Sequence, residues 1–317
     1  MLRVSAVFFH ALASALLVCL TYQFWKSLRA ATAAGLMLAL YAPGYAFLND
    51  GYPEPCWLAL TLAGVLLIRR GGAAELGGAL LAGVAVLVRS NFAILPLTLA
   101  VAAWAWRPNR FPRAARCLVL LALFLIPSGL WVLRNYAVSG AFPVLSAMEG
   151  ETFYGGNNAV TAGDWRYWGY WVFPDRIPGE TPKQKLALAM DEAELNRYYR
   201  HKGLSFLRAN WESIPKMVVG KLVRGFVPVP FVPRLTSFLG SFFRAALLGA
   251  FLFLVLRHGP ADRWDSTLLW AVFLVVLVTT LVFYGSARFT FCLEPFLMPP
   301  VAAVLFGRRA GPGEGAG

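Results

Sequence analysis

Arg134 and Arg288 stand where apolar stretches give way to polar ones, in WVLRNY and YGSARF. A guanidinium fork grips a phosphate through paired N–H bonds, so two forks on one cavity would suit a phosphorylated ligand. Either side chain could equally snorkel to a membrane surface. Asp50 and Glu54, in LNDGYPEP, carry the carboxylates nearest such an edge. They could orient a hydroxyl, accept its proton or bind a divalent cation, or form an ordinary acidic turn shaped by Pro53 and Pro55. Asn157 and Asn158 close the tight turn GGNN, where amide side chains either cap local backbone or read sugar hydroxyls. His10, His201 and His258 are far apart in the chain. The four cysteines lie in or beside apolar runs without metal-ligand spacing, so no metal site is expected from them.

The elements that must position these residues are set by composition. With 58% hydrophobic and 14% charged residues and a mean hydropathy of +0.60, the chain reads as an all-α polytopic membrane protein. Candidate spans fall at about Val4 to Phe24, Ala30 to Phe47, Cys56 to Ile68, Leu76 to Val88, Phe92 to Trp106 and Cys117 to Leu133. Three more follow, at Phe238 to Leu256, Thr267 to Phe283 and Phe291 to Phe306. Several are shorter than the ~20 residues that cross a bilayer unaided.

Net charge is +13, from 29 Lys and Arg against 16 Asp and Glu. In such a chain this excess reports sidedness, and with no basic stripe interleaved with stacking aromatics, nucleic acid is not an expected partner. With nine spans, Lys26 and Arg29, Arg69 and Arg70, the Arg107 to Arg116 quartet, Arg257 and Arg263, and Arg308 and Arg309 all share the cytoplasmic side. That count requires a turn at Arg89, Ser90 and Asn91 rather than one kinked helix.

The expected organisation is a block of about six spans over 1–133, an extracytoplasmic loop region with interfacial helices over 134–237, three spans over 238–307 and a disordered cytoplasmic tail over 308–317. Within the loop, Thr181, Pro182 and Gln184 read as a capping-box start. A helix should then run to about Lys202 and stop at Gly203. A second surface helix is expected over Met217 to Phe231. WRYWGYWVF, Trp165 to Phe173, is an aromatic belt or a platform for a sugar ring or isoprenoid.

Taken in order, RNY at Arg134 to Tyr136, GAFPVLS, GGNN, EAELNRYYR with FLRAN, and GSARF before the last span resemble the outer-loop landmarks of a known family. These are the bacterial polyprenyl-phosphate-dependent glycosyltransferases of glycosyltransferase family 39, in the GT-C superfamily. PEP at Pro53 to Pro55 and LVRSNFAILP around Arg89 resemble its earlier turns. The resemblance spans nearly the whole chain. It implies a GT-C-like bundle of about nine transmembrane helices with one large extracytoplasmic loop.

It also implies transfer of a sugar from a polyprenyl-phosphate-linked donor to a lipid, glycan or protein acceptor at the outer face of the plasma membrane. Family members carry an acidic base on a first outer loop, which here would precede Met1. The expectation is therefore a catalytic base before the first residue, with Asp50 and Glu54 as candidates within the chain. Arg134, Asn135, Tyr136 and Arg288 are assigned to the donor phosphate and its surroundings, and Asn157 and Asn158 to sugar or acceptor. No cofactor is required, although a divalent cation is compatible with Asp50 and Glu54. The competing expectations are a flippase for a lipid-linked saccharide and a non-catalytic scaffold. No internal repeat and no charge deep in several spans supports the flippase.

Overall fold

A computed structural model describes residues 2–106, 113–140, 148–227, 235–258 and 263–306. Among these the chain is all-α, with no strand. The first block holds α1 (Leu2–Trp25), α2 (Leu28–Ala39), α3 (Ala42–Asp50), α4 (Glu54–Arg70), α5 (Ala73–Val88), α6 (Leu95–Trp106) and α7 (Arg113–Ser139). The middle segment holds α8 (Glu149–Gly156), α9 (Ala159–Gly163), α10 (Lys183–Ala189), α11 (Glu192–Ala209) and α12 (Ile214–Phe226). The last block is α13 (Leu235–His258), α14 (Arg263–Val282), α15 (Ala287–Thr290) and α16 (Glu294–Phe306).

Each of the nine apolar runs is helical. Leu2–Trp25 and Ala114–Val138 are individually long and apolar enough to cross a membrane, and a third crossing arises if α2 and α3, bent by 45°, form one span. The bend has a local cause: Pro43 has no N–H and disfavours helical backbone before it, so α2 ends at Ala39 and the chain turns through Leu40 and Tyr41. On α7, Leu118, Leu125, Leu130 and Leu133 all point outward and are more than half exposed. A helix that presents leucines rather than charges to its surroundings is built for lipid.

Contacts between helix ends fix their directions. Gly51, after α3, lies against Leu2 at the start of α1. The Arg69 guanidinium at the end of α4 covers the Phe24 ring at the end of α1, 3.6 Å from its centroid. Hence α1 and α4 run one way, and α2 with α3 returns between them. Arg116 pairs with Glu75 near the starts of α7 and α5, and Gly83 touches the Phe124 backbone the same distance further along both. A Cβ at Gly83 would run into the Phe124 carbonyl, so this parallel, in-register contact requires glycine. Because α5 and α7 are parallel, α6 is the stretch that comes back.

The turn at Arg89 to Phe92 is thus a reversal. Arg89 ends α5 in extended backbone, a single 3-10 turn follows, and α6 packs along α14. One end of the bundle carries Asp50, Glu54, Arg89 and Arg288. The other carries Lys26, Arg29, Arg69, Arg70 and Arg116. Between them lies one apolar core that includes Leu17, Trp57, Phe92, Phe124, Val275 and Met298. Trp57 and Phe92 stack across it with centroids 4.4 Å apart.

The middle segment departs from the expected helix over Thr181 to Lys202. Pro182 makes no side-chain cap, and α10 stops after Ala189. Asp191 then caps α11, accepting from the Glu194 N–H while the Glu194 carboxylate accepts from the Asp191 N–H. A reciprocal box with two carboxylates at a helix N-terminus outcompetes the weaker start ten residues upstream. Nor does Gly203 end the helix, which continues to Ala209. Gly203 instead lets the Phe153 ring of α8 press against the α11 backbone. The second surface helix begins at Ile214, three residues before its expected start, while most of VPVPFVP and the 308–317 tail lie outside the described residues.

Candidate functional site

Glu54 is fully buried in the first turn of α4, and its Oε1 accepts from two arginines. Arg89 Nη1 donates at 3.0 Å and Arg288 Nε at 2.8 Å. Arg89, itself 8% exposed, also donates to the Arg288 carbonyl at 3.3 Å and touches Cys292 Sγ. Its guanidinium lies between the Phe92 and Phe289 rings. Arg288 stacks over the Tyr52 ring, 4.1 Å from its centroid. About a third of its side chain is open, at 36%. The terminal nitrogens of Arg288 make no hydrogen bond among the described residues, so its fork is held from behind by Glu54 and is free in front. Glu54 Oε2 is buried without a hydrogen-bond partner.

The charge sum is one carboxylate against two guanidiniums. It leaves one positive charge uncompensated within the Glu54, Arg89 and Arg288 cluster, the arrangement an anion needs. A cation does not fit here, because it would face both arginines. Asp50, which was paired with Glu54 as a candidate cation ligand, is exposed at the end of α3. Among the described residues no group of three His, Cys, Asp or Glu side chains could hold a metal ion.

The site residues expected from sequence divide. Arg288 and Glu54 meet, whereas Arg134 does not join them. It is exposed near the end of α7, donates to Asn135 Oδ1 at 2.9 Å and stacks on Trp131. Asn135 is half-buried and Tyr136 is 47% exposed. Arg134 and Arg288 thus have separate partners, and only Arg288 shares Glu54. A helix as long as α7 carries Arg134 beyond the turns that bring Glu54, Arg89 and Arg288 together.

Asn158 takes the capping alternative. Its Oδ1 accepts from Val160 and Thr161 N–H, and its Nδ2 donates to the Tyr154 and Gly155 carbonyls. With 0% exposure and four bonds made, it has nothing left for a sugar. Asn157 docks the middle segment onto α14. Its Nδ2 donates to the Val282 carbonyl at 3.0 Å, and its Oδ1 accepts from buried Lys221 at 2.8 Å. Lys221 also donates to the Leu281 carbonyl at 2.9 Å. Burial pushes its ammonium down to about 8. Gly156 meets the Phe283 backbone so closely that no side chain fits between. The GGNN turn is thus a clasp that fixes the end of α14, from which the chain runs on to Arg288.

Two features went unread in the sequence. Arg89 was placed in a turn without a role. Its only signal was a charge sandwiched between Val88 and the polar break Ser90 and Asn91. The other is a second buried ion pair, Arg244 on α13 with Glu294 on α16, 7% and 1% exposed. The Tyr41 hydroxyl stands beside this pair. Beside the expectation of no charge deep in several spans stands this one ion pair, buried between two apolar helices. An apolar cleft of about 1000 Å³ between α2, α13 and α16 reaches Tyr41, with Arg29 among its lining residues. In the aromatic cluster, Trp165, Tyr167, Tyr170 and Phe173 are exposed, while Trp171 packs on Phe173 and Tyr284.

No family model matches the chain, and no curated protein or solved structure matches it either.

Proposed function

We propose that the chain is a membrane glycosyltransferase that takes a sugar from a polyprenyl-phosphate-linked donor, with Arg288 as the phosphate-binding residue. The reading is carried by the open guanidinium fork of Arg288, anchored through Nε to a fully buried carboxylate that also neutralises Arg89. Pre-orientation matters because the fork has no other bond to break before it meets phosphate. A unit-charge attraction at 4 Å rises from ~1 kcal/mol in water to ~4 kcal/mol at an effective dielectric of 20, so a half-buried fork at the membrane edge outperforms one in bulk solvent.

In the proposed reaction an acceptor hydroxyl or amine loses its proton to a carboxylate and attacks the anomeric carbon. The bond from that carbon to the phosphate oxygen breaks, and the negative charge that gathers on the departing lipid phosphate is met by Arg288. Tyr52, under the Arg288 plane, offers a ring face at the same place. The proposed topology has about nine crossings in the plasma membrane, the 134–237 segment outside and the C-terminus in the cytoplasm. It is supported by Lys26, Arg29, Arg69, Arg70 and Arg116 gathering at one end of the bundle and the Glu54 cluster standing at the other.

The test is sugar transfer from a radiolabelled polyprenyl-phosphate donor by the chain in phosphatidylethanolamine and phosphatidylglycerol vesicles. Arg288→Gln should lower kcat/KM by at least about tenfold, the ~1.4 kcal/mol of a lost charged contact, and Arg134→Gln should leave it unchanged. Wild-type turnover in Arg288→Gln at matched expression removes Arg288 from the site.

The buried Arg244–Glu294 pair favours a second reading, a transporter for the lipid-linked saccharide, since ionisable groups among membrane helices line many transport pathways. Release of free lipid phosphate marks the enzyme. Movement of the intact donor between leaflets marks the transporter.

A further inference from the structure

We propose that α12 lies in the outer leaflet of the membrane, with its exposed stripe in contact with lipid. The outward residues of this helix are Ile214, Pro215, Val219 and Val223, followed by Val227 just past its end, all apolar. Trp211, 67% exposed, extends the line in the turn before. The face turned inward holds Met217, Gly220, Lys221 and Gly225. Polarity is therefore reversed: the ammonium is inside and the valines are outside, as expected of a helix whose surroundings are less polar than its protein neighbours.

The position of α12 against α14 identifies what covers the stripe. Lys221 bonds to the last carbonyls of α14, and Gly225 lies against Thr280. The Phe226 ring reaches Phe273, with centroids 5.8 Å apart. Phe273 precedes Val282 by about 13 Å along the helix axis at 1.5 Å per residue. Residues 221–225 of α12 thus cross the end of α14, where Gly285 also meets Lys221 and Gly225, and the Phe226 ring reaches back to the apolar stretch of α14, which itself exposes Trp270, Leu274 and Val282. A helix laid across the end of an apolar helix with its own apolar stripe turned outward sits where the surface of a bilayer around α14 would be.

A protein partner fits less well, because interface cores are rich in aromatic residues and arginine, and this stripe is a single file of small aliphatic side chains. Tryptophan at its head and Lys216 beside the stripe are what an interfacial helix places at headgroup level, while Arg224 donates to the Trp168 and Arg166 carbonyls.

The experiment uses the full chain in the same vesicles, with a genetically encoded benzophenone amino acid replacing Val219, Val223 or, as a control, the exposed Glu192 on α11. These are exposed positions, so the replacements leave the core untouched. After irradiation, mass spectrometry of the chain should show phospholipid adducts at 219 and 223 and none at 192. Adducts at 219 and 223 to another protein or a second copy of this chain overturn the proposal. So does equal lipid labelling at all three positions, or an unreacted, water-quenched probe at 219 and 223. Sugar transfer is not part of the readout, so failure here is separable from failure of the enzymatic reading.

Discussion

Lys221 shows how a single side chain can hold a segment in place and be strained by doing so. Its Nζ is surrounded by carbonyl oxygens and an amide, and burial lowers it from 10.5 to about 8. Between those values the native state has released a proton that the unfolded chain still holds. Stability therefore rises with pH across this window, at up to about 1.4 kcal/mol per unit. Thermal unfolding in detergent should show the wild-type melting point rising relative to Lys221→Met from pH 8 towards pH 10, and the difference should flatten below pH 8. A constant difference over the whole range would mean that Lys221 is not buried as a cation. At this scale the sequence revealed Arg288 and Glu54, because polar residues at the ends of apolar runs stand out. It hid Arg89 and Arg244, whose partners Glu54 and Glu294 are distant in the chain, and pairings of that kind are set by packing.

At the scale of elements, apolar runs located the long helices described in the two apolar blocks, because burial in a core and contact with lipid both demand them, but the Ala30 to Phe47 run breaks into α2 and α3 and α7 runs six residues past Leu133. Sequence was less informative where a local signal competed with a better one nearby. The Thr181 start lost to the Asp191 and Glu194 box, and Gly203 served a helix crossing rather than a helix end. The Asp191 cap has a measurable value. Asp191→Ala should destabilise α11 by about 1 kcal/mol, as capping residues do elsewhere, and Thr181→Ala should have no effect. Limited proteolysis between α10 and α11 reads both: faster cleavage is expected in Asp191→Ala alone.

For the molecule as a whole, helix directions make an all-or-none statement about sides. With α1 and α4 running one way and α2, α5 and α7 the other, the proposed topology puts Lys26 and Glu192 in opposite compartments. Cysteine placed at Glu192 should react with an impermeant thiol reagent applied to intact cells. Cysteine placed at Lys26 should react only after lysis, each measured against the wild-type background. Labelling of both from outside would overturn the topology and, with it, the position of Arg288 at the outer face. Charge alone predicts that Lys26, Arg29, Arg69, Arg70 and Arg116 share one side, and the packed helix directions bring them to one end of the bundle. Charge patterns could not show the clasp of Asn157 and Lys221 on the end of α14, which depends on backbone carbonyls that no residue type announces.

The Arg244–Glu294 pair bears on how the chain is made. The two residues are 50 positions apart; on the proposed topology Arg244 lies well inside α13, where alone it costs about 2.5–3.5 kcal/mol, whereas Glu294 only arrives with the first turn of α16. During synthesis α13 emerges from the ribosome well before α16, so its arginine waits without a counter-ion. The last three long helices should therefore leave the translocation channel together rather than one by one, and the chain should be committed to its fold only when its final helix has been translated.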